Sequence, residues 1–247
     1  MIFWKKVMDE RAKSGCRHDW SRIPSLVNDL ASVKPRATTV SFLRVKKSHQ
    51  GLREFQNIRR LFAYNVDDSF LQEISRLSGL TYLWAEIVTT EDLTPLTRLG
   101  SLEFLILRHV RTARSFSFVA DMPRLRHLNL EWVKHLTNLD DLRQKNNLLS
   151  FGVEGATSVS MTQKIDSLAP ILEWPELHSL YLTNTRVLDG NLRCLAQISS
   201  LRHLETARFY PKSEFDALKA ARPELKCQWF DQYEIEIPQP HEMAWLA

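Results

Sequence analysis

A short apolar pattern recurs along this chain, and it restricts the possible folds more than any other feature. The pattern has leucine or another apolar residue at its first, fourth and sixth positions. Consecutive copies begin 22, 22, 23, 23, 29 and 24 residues apart, at Ile58, Leu80, Leu102, Leu125, Leu148, Leu177 and Leu201. A weaker copy begins at Val40. A period of this length indicates a solenoid, in which each repeat buries its apolar face against the next.

Each half of the repeat predicts a different local structure. In an extended segment the fourth and sixth positions lie on one face, so stacked copies would form a parallel sheet with apolar ladders on its inner side. The second half of several repeats has apolar residues at helical spacing, as in residues 70–77 and 192–198. We therefore expect short helices on the outer, convex side of the solenoid.

These repeats resemble those of the leucine-rich-repeat family over roughly residues 38 to 230. The resemblance implies an α/β leucine-rich-repeat solenoid with a parallel concave β-sheet and short convex helices. The asparagine that the family often has at the ninth position is missing, and those positions hold Val66, Val88, Val110, Val133, Ala156, Thr185 and Phe209. Apolar packing is expected to close the turn instead, which favours an irregular, bacterial-type intracellular member.

The two ends of a solenoid need caps, because its terminal coils expose apolar faces. Residues 1–37 are interpreted as a helical N-terminal cap, with a helix over 24–33 that ends before Pro35. The solenoid is assigned to residues 38–230 and closes with a helix and a strand over 215–230. Residues 231–247 form a C-terminal tail, in which Tyr233, Ile235 and Ile237 alternate as in an edge strand.

Composition indicates a soluble chain in the cytoplasm. No apolar run reaches the roughly 18 residues that a membrane span needs, and the first residues lack the apolar core of a secretion signal. The three cysteines are widely spaced and suggest neither a disulfide framework nor a zinc site. Residues 1–60 hold 14 Lys and Arg against 5 Asp and Glu, so the remainder has 33 − 14 = 19 against 29 − 5 = 24. One end is basic and the rest mildly acidic, a polarity that steers charged partners.

The outward positions of the predicted strands place aromatic side chains next to one another on neighbouring strands. Exposed aromatic residues ringed by charge are typical of protein interfaces. The predicted partner-binding residues are Arg60, Phe62, Tyr64, Tyr82, Trp84, Glu86, Phe104, Ile106, Arg108, His109, Glu131 and Trp132. The alternative is that some of these rings pack beneath a flanking segment, such as the N-terminal cap or the tail.

Two features of the long repeat allow more than one interpretation. Gly152 and Gly155 indicate either close approach of a partner to the backbone or bare surface. The extra residues around 158–165 are either a second contact element or a tolerated insertion.

The sequence gives little support to catalysis or to cofactor binding. Ser179 and His203 fall at equivalent positions of neighbouring strands, but no nucleophile elbow accompanies them. The histidines lack metal-ligand spacing, and seven glycines form no phosphate-binding loop. We therefore expect no catalytic residue, no metal and no cofactor. Basic residues near Arg44 and Arg60 raise the alternative of single-stranded nucleic acid, which Glu86, Glu131 and Glu154 would oppose.

The resulting hypothesis is a non-catalytic module, monomeric outside its complex, that grips a partner protein in its concave face. The family resemblance and the elimination of other roles favour an immunity protein that neutralises a bacterial toxin, and the partner would present an acidic edge. A substrate-recognition adaptor or an effector-type scaffold is the alternative.

Overall fold

The computed structural model describes residues 23–145, 147–156 and 161–233. Their principal element is a nine-stranded parallel sheet, whose strands follow one another in the order of the chain. Its strands are β1 (Leu26–Val27), β2 (Thr39–Leu43), β3 (Arg60–Val66), β4 (Tyr82–Val88), β5 (Phe104–Val110), β6 (His127–Val133), β7 (Ser150–Glu154), β9 (Ser179–Leu182) and β11 (His203–Thr206). A second parallel sheet joins β8 (Gln163–Ile165) to β10 (Thr185–Val187).

The strand register aligns the repeated apolar positions into ladders, as the sequence predicts. Leu61 pairs with Leu83, which pairs with Leu105 on the next strand. All three side chains are fully buried in one continuous core that extends from Val33 to Cys227. Because each rung fills the space between two repeats, the ladder stabilises the stack at about 1.5–3 kcal/mol for each buried leucine.

The convex side consists mostly of 3-10 turns. One return segment is an α-helix, α1 (Asp68–Ile74). Asp67 caps its N-terminus, because the Asp67 carboxylate accepts a hydrogen bond from the Phe70 amide at 2.9 Å. Other returns are 3-10 turns of three to five residues, at Leu52–Glu54, Thr94–Arg98, Ser117–Asp121, Asp140–Leu142, Ala169–Ile171 and Arg193–Gln197. The sequence predicted short helices on the convex side. One of them is α1, and the short repeats leave room for only a 3-10 turn in most of the others.

Valine closes the turn that asparagine closes in more regular repeats. Val66, Val88, Val110 and Val133 are at most 1% exposed, which confirms the predicted apolar closure. Further along, the Thr185 hydroxyl donates to the Val153 carbonyl at 2.7 Å. The last repeat departs from the pattern. Phe209 is only half-buried, and the adjacent Tyr210 enters the core instead.

The predicted cap helix over residues 24–33 is wrong. The structure has strand β1 there, paired in parallel with β2, and a single 3-10 turn at Leu30–Ser32. A helix would have to bury one continuous face, but Leu26 is 52% exposed and only Val33 of this segment is fully in the core. As a strand, the segment pairs instead with the edge of β2, which would otherwise be open.

The closing segment is predicted in part. The helix is confirmed as α2 (Lys212–Ala221), but the expected strand is reduced to one bridge between Lys226 and His203, and α3 (Trp229–Gln232) follows. Tyr233 packs its ring on Phe215 and donates to the Tyr210 carbonyl at 3.0 Å. The remaining tail residues of the predicted edge strand, 234–247, lie outside the described residues, as do residues 1–22 of the predicted cap.

A left-handed backbone position recurs near the carboxyl end of the strands. The φ angle is between 49° and 61° at Lys46, Asn65, Ile87, His109, Trp132 and Asn184. Asparagine and histidine tolerate this region, whereas a β-branched or bulky side chain there is strained by about 1–2 kcal/mol. At Asn65, Ile87, His109, Trp132 and Asn184 this conformation ends the regular alternation of the strand, and the next side chain is buried; these next residues are Val66, Val88, Val110, Val133 and Thr185.

Replacing Ile87 with asparagine is expected to raise the free energy of unfolding by about 1 kcal/mol. Asparagine relieves the left-handed strain, and the isoleucine is only half-buried and contributes to neither apolar cluster. Urea unfolding followed by circular dichroism measures the change. The reverse substitution at the equivalent position, Asn65→Ile, is the matched control and should lower stability by a similar amount. A less stable Ile87→Asn variant would contradict this account.

Candidate functional site

The aromatic residues predicted on the concave face form a cluster, but they are not open to solvent. Phe62, Tyr82, Trp84 and Ile106 are 1%, 5%, 2% and 5% exposed, and together they define the concave cluster. The Phe62 ring centroid lies 5.4 Å from that of Tyr82 and 5.7 Å from that of Trp84. Strand pairing therefore brings these residues together as the sequence predicts, while their burial matches the alternative of packing beneath a flanking segment.

Ile23, Tyr64 and Phe104 pack against the concave cluster. Tyr64 and Phe104 belong to strands β3 and β5 and remain half-buried. Burial, followed by the nearby Glu86 carboxylate, raises the pKa of Tyr64 above its ordinary value. Ile23 precedes the sheet, so the chain enters the concave side before it forms β1.

Charged side chains flank the cluster on three neighbouring strands. Arg108 on β5 lies between two carboxylates, with its Nη1 3.5 Å from Glu86 Oε1 and its Nε 3.0 Å from Glu131 Oε1. These three side chains are 19–24% exposed. Because the Arg108 guanidinium already has carboxylate partners, the three side chains form a polar, hydrogen-bonding rim and do not produce a strong electrostatic field of one sign.

The basic residues at the start of the sheet also have partners. Arg44 forms a 3.1 Å ion pair with Asp67 and donates to the Asn65 carbonyl at 2.7 Å. The Arg60 guanidinium stacks 4.8 Å above the Tyr82 ring. These two guanidinium groups are therefore engaged within the fold, whereas Lys46 and Lys47 after β2 are exposed.

A half-buried aromatic pair lies at the carboxyl edge of the sheet. The rings of His109 and Trp132 stack at 3.7 Å between centroids with 18° between their planes, and both residues have left-handed backbones. Arg111 donates through Nε to His109 Nε2 at 3.1 Å. Burial, with help from Arg111 and Arg108, lowers the pKa of His109, which suits an imidazole that accepts this hydrogen bond.

His109 and Trp132 border a cleft of about 510 Å³ between the two sheets, here called the edge cleft. Its charged lining residues are all cationic, namely Arg111, Lys134 and Lys164, and each of these is exposed. Val110, Val133, Leu136, Thr137, Met161, Thr162 and Gln163 complete the lining. The edge cleft thus combines an aromatic wall with a basic rim, a combination that suits an acidic, partly apolar ligand.

Gln163 has a role that the sequence did not reveal. Its buried amide accepts from the Val133 amide at 3.1 Å and donates to the Leu136 carbonyl at 2.8 Å. It therefore holds the last residue of β6, which follows Trp132, and the turn after this strand. The residue lies in the extra segment of the long repeat, and that segment supplies β8 and one wall of the edge cleft.

The two glycines of the long repeat are explained by internal packing. A Cβ on Gly155 would lie 2.3 Å from the Asn184 carbonyl oxygen and 2.8 Å from the Met161 carbonyl oxygen. A Cβ on Gly152 would lie 2.0 Å from the Asn129 side-chain oxygen. Both glycines are buried, so neither bare surface nor an approaching partner is needed to account for them.

His127 is the histidine with the most perturbed titration among the described residues. Its ring stacks on Phe104 at 4.0 Å and 6°, and Nδ1 lies 2.8 Å from the Ser150 hydroxyl. Burial, with a smaller contribution from Arg126, lowers the pKa of His127 to about 4 from an ordinary 6.5. The neutral ring is therefore favoured in the folded state.

This shift predicts a loss of stability on acidification. Below pH 6.5 the unfolded chain binds a proton at His127 that the folded chain does not bind until about pH 4, so the free energy of unfolding falls across that window. His127→Phe keeps an aromatic ring but cannot titrate, and its stability should decline less steeply between pH 6.5 and 4.5. Urea unfolding at several pH values tests this, and parallel profiles for the two proteins would refute it.

Metal or nucleophile chemistry finds no support in the parts of the chain that the structure describes. No group of three or more His, Cys, Asp and Glu side chains among them is arranged to hold a metal ion. Ser179 and His203 pair across β9 and β11, as the sequence predicts, but the His203 ring lies against Tyr181 at 5.7 Å between centroids.

Within the part of the chain that the structure describes, no helix is long and apolar enough to cross a membrane.

Solved structures with the same architecture are leucine-rich-repeat proteins. Internalin C2 of Listeria monocytogenes is 20% identical in sequence, with a TM-score of 0.50 over 79% of this chain and 80% of that chain. An internalin (inlF) of the same organism is 15% identical, with a TM-score of 0.40 over 76% and 71%. A leucine-rich-repeat protein of Leptospira interrogans is also 15% identical, with a TM-score of 0.30 over 77% and 76%.

No protein-family model matches the sequence, and no curated protein matches it. The similarity to internalin C2 therefore defines the fold. This chain has the leucine-rich-repeat fold, an α/β solenoid with one long parallel sheet.

Proposed function

We propose that this chain is a non-catalytic protein-binding module whose contact surface centres on the His109–Trp132 stack. The observation that supports this most directly is the backbone beneath the stack. Trp132 has a left-handed conformation in which asparagine or glycine would be less strained, and strained positions concentrate at functional sites. The same conformation recurs at five other strand ends, so what distinguishes Trp132 is its large ring, which stacks on His109 and borders the edge cleft. Use of this ring in binding would explain its presence at a strained position.

The surrounding surface suits a protein partner. Trp and Arg are enriched at interface hot spots, and Trp132 borders the edge cleft together with Arg111. Of the predicted partner-binding residues, we propose that the half-buried ones make direct contact, namely Arg60, Tyr64, Glu86, Phe104, Arg108, His109, Glu131 and Trp132. The buried concave cluster would support them from below.

The cationic rim favours a partner with an acidic edge. Arg111, Lys134 and Lys164 line the edge cleft, and none of the other described residues in its lining is a carboxylate. Charges at the periphery of an interface mainly accelerate association and make it sensitive to salt. The partner chemistry is therefore an acidic protein surface with an apolar or aromatic side chain that enters the cleft.

Within this class we propose the more specific role of an immunity protein that blocks a toxin. The support is the leucine-rich-repeat fold together with the aromatic and cationic surface at the edge cleft. Co-expression with the products of neighbouring genes tests it. We expect one of them to arrest growth alone and to form a stable complex with this chain that restores growth. Complex formation without toxicity would instead favour an adaptor or scaffold.

Charge reversal of Lys134 and Lys164 to glutamate is expected to weaken partner binding about tenfold at low salt, chiefly through slower association. Surface plasmon resonance at two salt concentrations measures the effect, which should shrink as salt increases. Arg76→Glu with Arg124→Glu is the matched control, since both side chains are exposed and precede strands β4 and β6 at the opposite edge of the sheet. Equal losses in both double variants would place the contact elsewhere.

A further inference from the structure

Four cationic side chains recur at one position of the repeat, along the carboxyl edge of the two sheets. Each directly follows the buried residue that closes the turn of its repeat, and each is exposed. These residues, here called the cation column, are Arg111, Lys134, Lys164 and Arg186. Three of them line the edge cleft, whereas Arg186 lies on the next repeat and outside that cleft. The basic rim of the cleft is therefore part of a longer row of charges.

Strand pairing aligns the members of the cation column. Arg111 and Lys134 directly follow the last pair of β5 and β6, and Lys164 pairs with Arg186 across β8 and β10. Lys134 and Lys164 line the same cleft. Successive strands lie about 4.8 Å apart, so the four side chains form a row about 14 Å long.

The long repeat keeps its place in this row in spite of its extra residues. It has 29 residues, against 23 and 24 for the repeats on either side, and a count along the sequence puts Ala156 at the position that closes its turn. The structure instead pairs Gln163 with Thr185, which closes the next turn. Lys164 therefore follows the closing residue in space, and the row is unbroken.

The charges of the cation column have no carboxylate partner among the residues that the structure describes. None of the ion pairs there includes one of the four cations. Asp166, two residues after Lys164, is exposed and pairs with none of them. Arg186 lies 5.1 Å above the Phe209 ring, a contact that leaves its charge unneutralised. Like charges directly opposite each other on paired strands are destabilising, so an anionic ligand would relieve the repulsion between Lys164 and Arg186.

We propose that the cation column binds a linear acidic segment of the partner, which crosses the repeats with its carboxylates toward the column and one apolar side chain in the edge cleft. This inference rests on the proposed protein-binding function and specifies the element of the partner that is bound. About five extended residues or about three helical turns cover the length of the column. Several weak ion pairs on one segment act together, because the first contact raises the effective concentration of the others.

The aromatic residues near the cation column favour a peptide over a single-stranded nucleic acid. Proteins that hold single strands offer aromatic side chains on which successive bases stack. Here Trp132 and His109 stack on each other, and the Phe209 ring is covered by Arg186. The column therefore has one apolar cleft beside it and no series of open rings among the described residues.

The first test measures the fluorescence anisotropy of a labelled peptide of one tryptophan and eight glutamates, mixed with the full chain at low salt. Lys164→Gln with Arg186→Gln should weaken binding about fivefold. Lys164→Arg with Arg186→Lys keeps the charges and should bind like the unmodified chain. Arg76→Gln with Arg124→Gln is the matched control, since both side chains are exposed and precede strands β4 and β6 at the opposite edge of the sheet.

Several results would overturn the proposal. They are absence of peptide binding, equal binding of a peptide with glutamine in place of glutamate, and equal losses in the column and control variants. Tighter binding of an eight-nucleotide single-stranded DNA would do the same, because it would identify a nucleic-acid site.

Arg186 separates a failure of this inference from a failure of the proposed function, because it lies outside the edge cleft. Binding of the protein captured by co-expression should weaken about threefold in Arg186→Gln. A loss in Trp132→Ala alone would keep the proposed contact surface and overturn the inference. A loss in Arg186→Gln alone would support the inference and place the contact away from the His109–Trp132 stack.

Discussion

Replacing Gly155 with alanine is expected to lower the free energy of unfolding by about 3 kcal/mol, at the upper end of the range for overpacking. The added Cβ would lie 2.3 Å from the Asn184 carbonyl oxygen and 2.8 Å from that of Met161. Both atoms belong to backbone, so neither can rotate away as a side chain would. The loop that forms a wall of the edge cleft would have to move.

The hydrogen bonds around Gly155 explain why this movement is costly. The Gly155 amide donates to the Thr183 carbonyl at 2.9 Å, and the Ala156 amide donates to the Met161 carbonyl at 3.1 Å. The Asn184 side-chain amide donates to the Ala156 carbonyl at 2.7 Å. A shift large enough to accommodate a methyl group would lengthen several of these bonds together, since they link three segments in one place.

Two other glycines provide internal comparisons for this prediction. Gly100→Ala is the control, because its Cβ would meet no atom within 4 Å, and it should be neutral or stabilising by up to about 1 kcal/mol. Gly152→Ala should cost less than Gly155→Ala, because its obstacle is the Asn129 side chain. Urea unfolding of the three variants gives the order directly. Equal stability for Gly155→Ala and Gly100→Ala would show that the loop adapts freely.

The regular part of the fold was predictable from the repeat because its cause is local and repeated. The spacing alone identifies Leu61, Leu83 and Leu105 as one ladder, and their strands pair in that register. The same spacing predicted that buried valines, rather than asparagines, close the turns after the strands. The N-terminal segment was mispredicted because apolar spacing over 24–33 suits a helix in isolation, whereas the open edge of β2 offers a strand more hydrogen bonds.

For the candidate site, the sequence predicted which residues are neighbours on the sheet but not how exposed they are. Strand alternation places Phe62, Trp84 and Ile106 on one face, but alternation cannot show what lies above that face. The left-handed column was hidden because Ile87 and Trp132 are residue types that rarely adopt positive φ. Gln163 was overlooked for a related reason. Its two hydrogen bonds join residues about 30 positions away, and nothing in its local sequence marks it.

Replacing Trp132 with alanine is expected to weaken partner binding about thirtyfold or more, which corresponds to the roughly 2 kcal/mol that defines an interface hot spot. The ring lines the edge cleft and stacks on His109, so its removal takes away both the aromatic wall of the cleft and the stack. Truncation would mainly accelerate dissociation. Isothermal titration calorimetry with the purified partner measures the loss of affinity.

The choice of Trp132 rather than Trp84 makes this experiment interpretable. Trp84 is 2% exposed, so its truncation would leave a cavity and is expected to cost about 3–5 kcal/mol of stability, which would confuse folding with binding. Trp132 is half-buried, and alanine also loses the stack on His109, so a modest destabilisation is expected. Trp132→Asn, which suits the left-handed backbone, provides the control because it should bind as poorly as Trp132→Ala while being more stable. If both variants kept full affinity, the His109–Trp132 stack would not be the contact surface. If affinity followed stability across the two variants, the tryptophan would act through the fold rather than by contact.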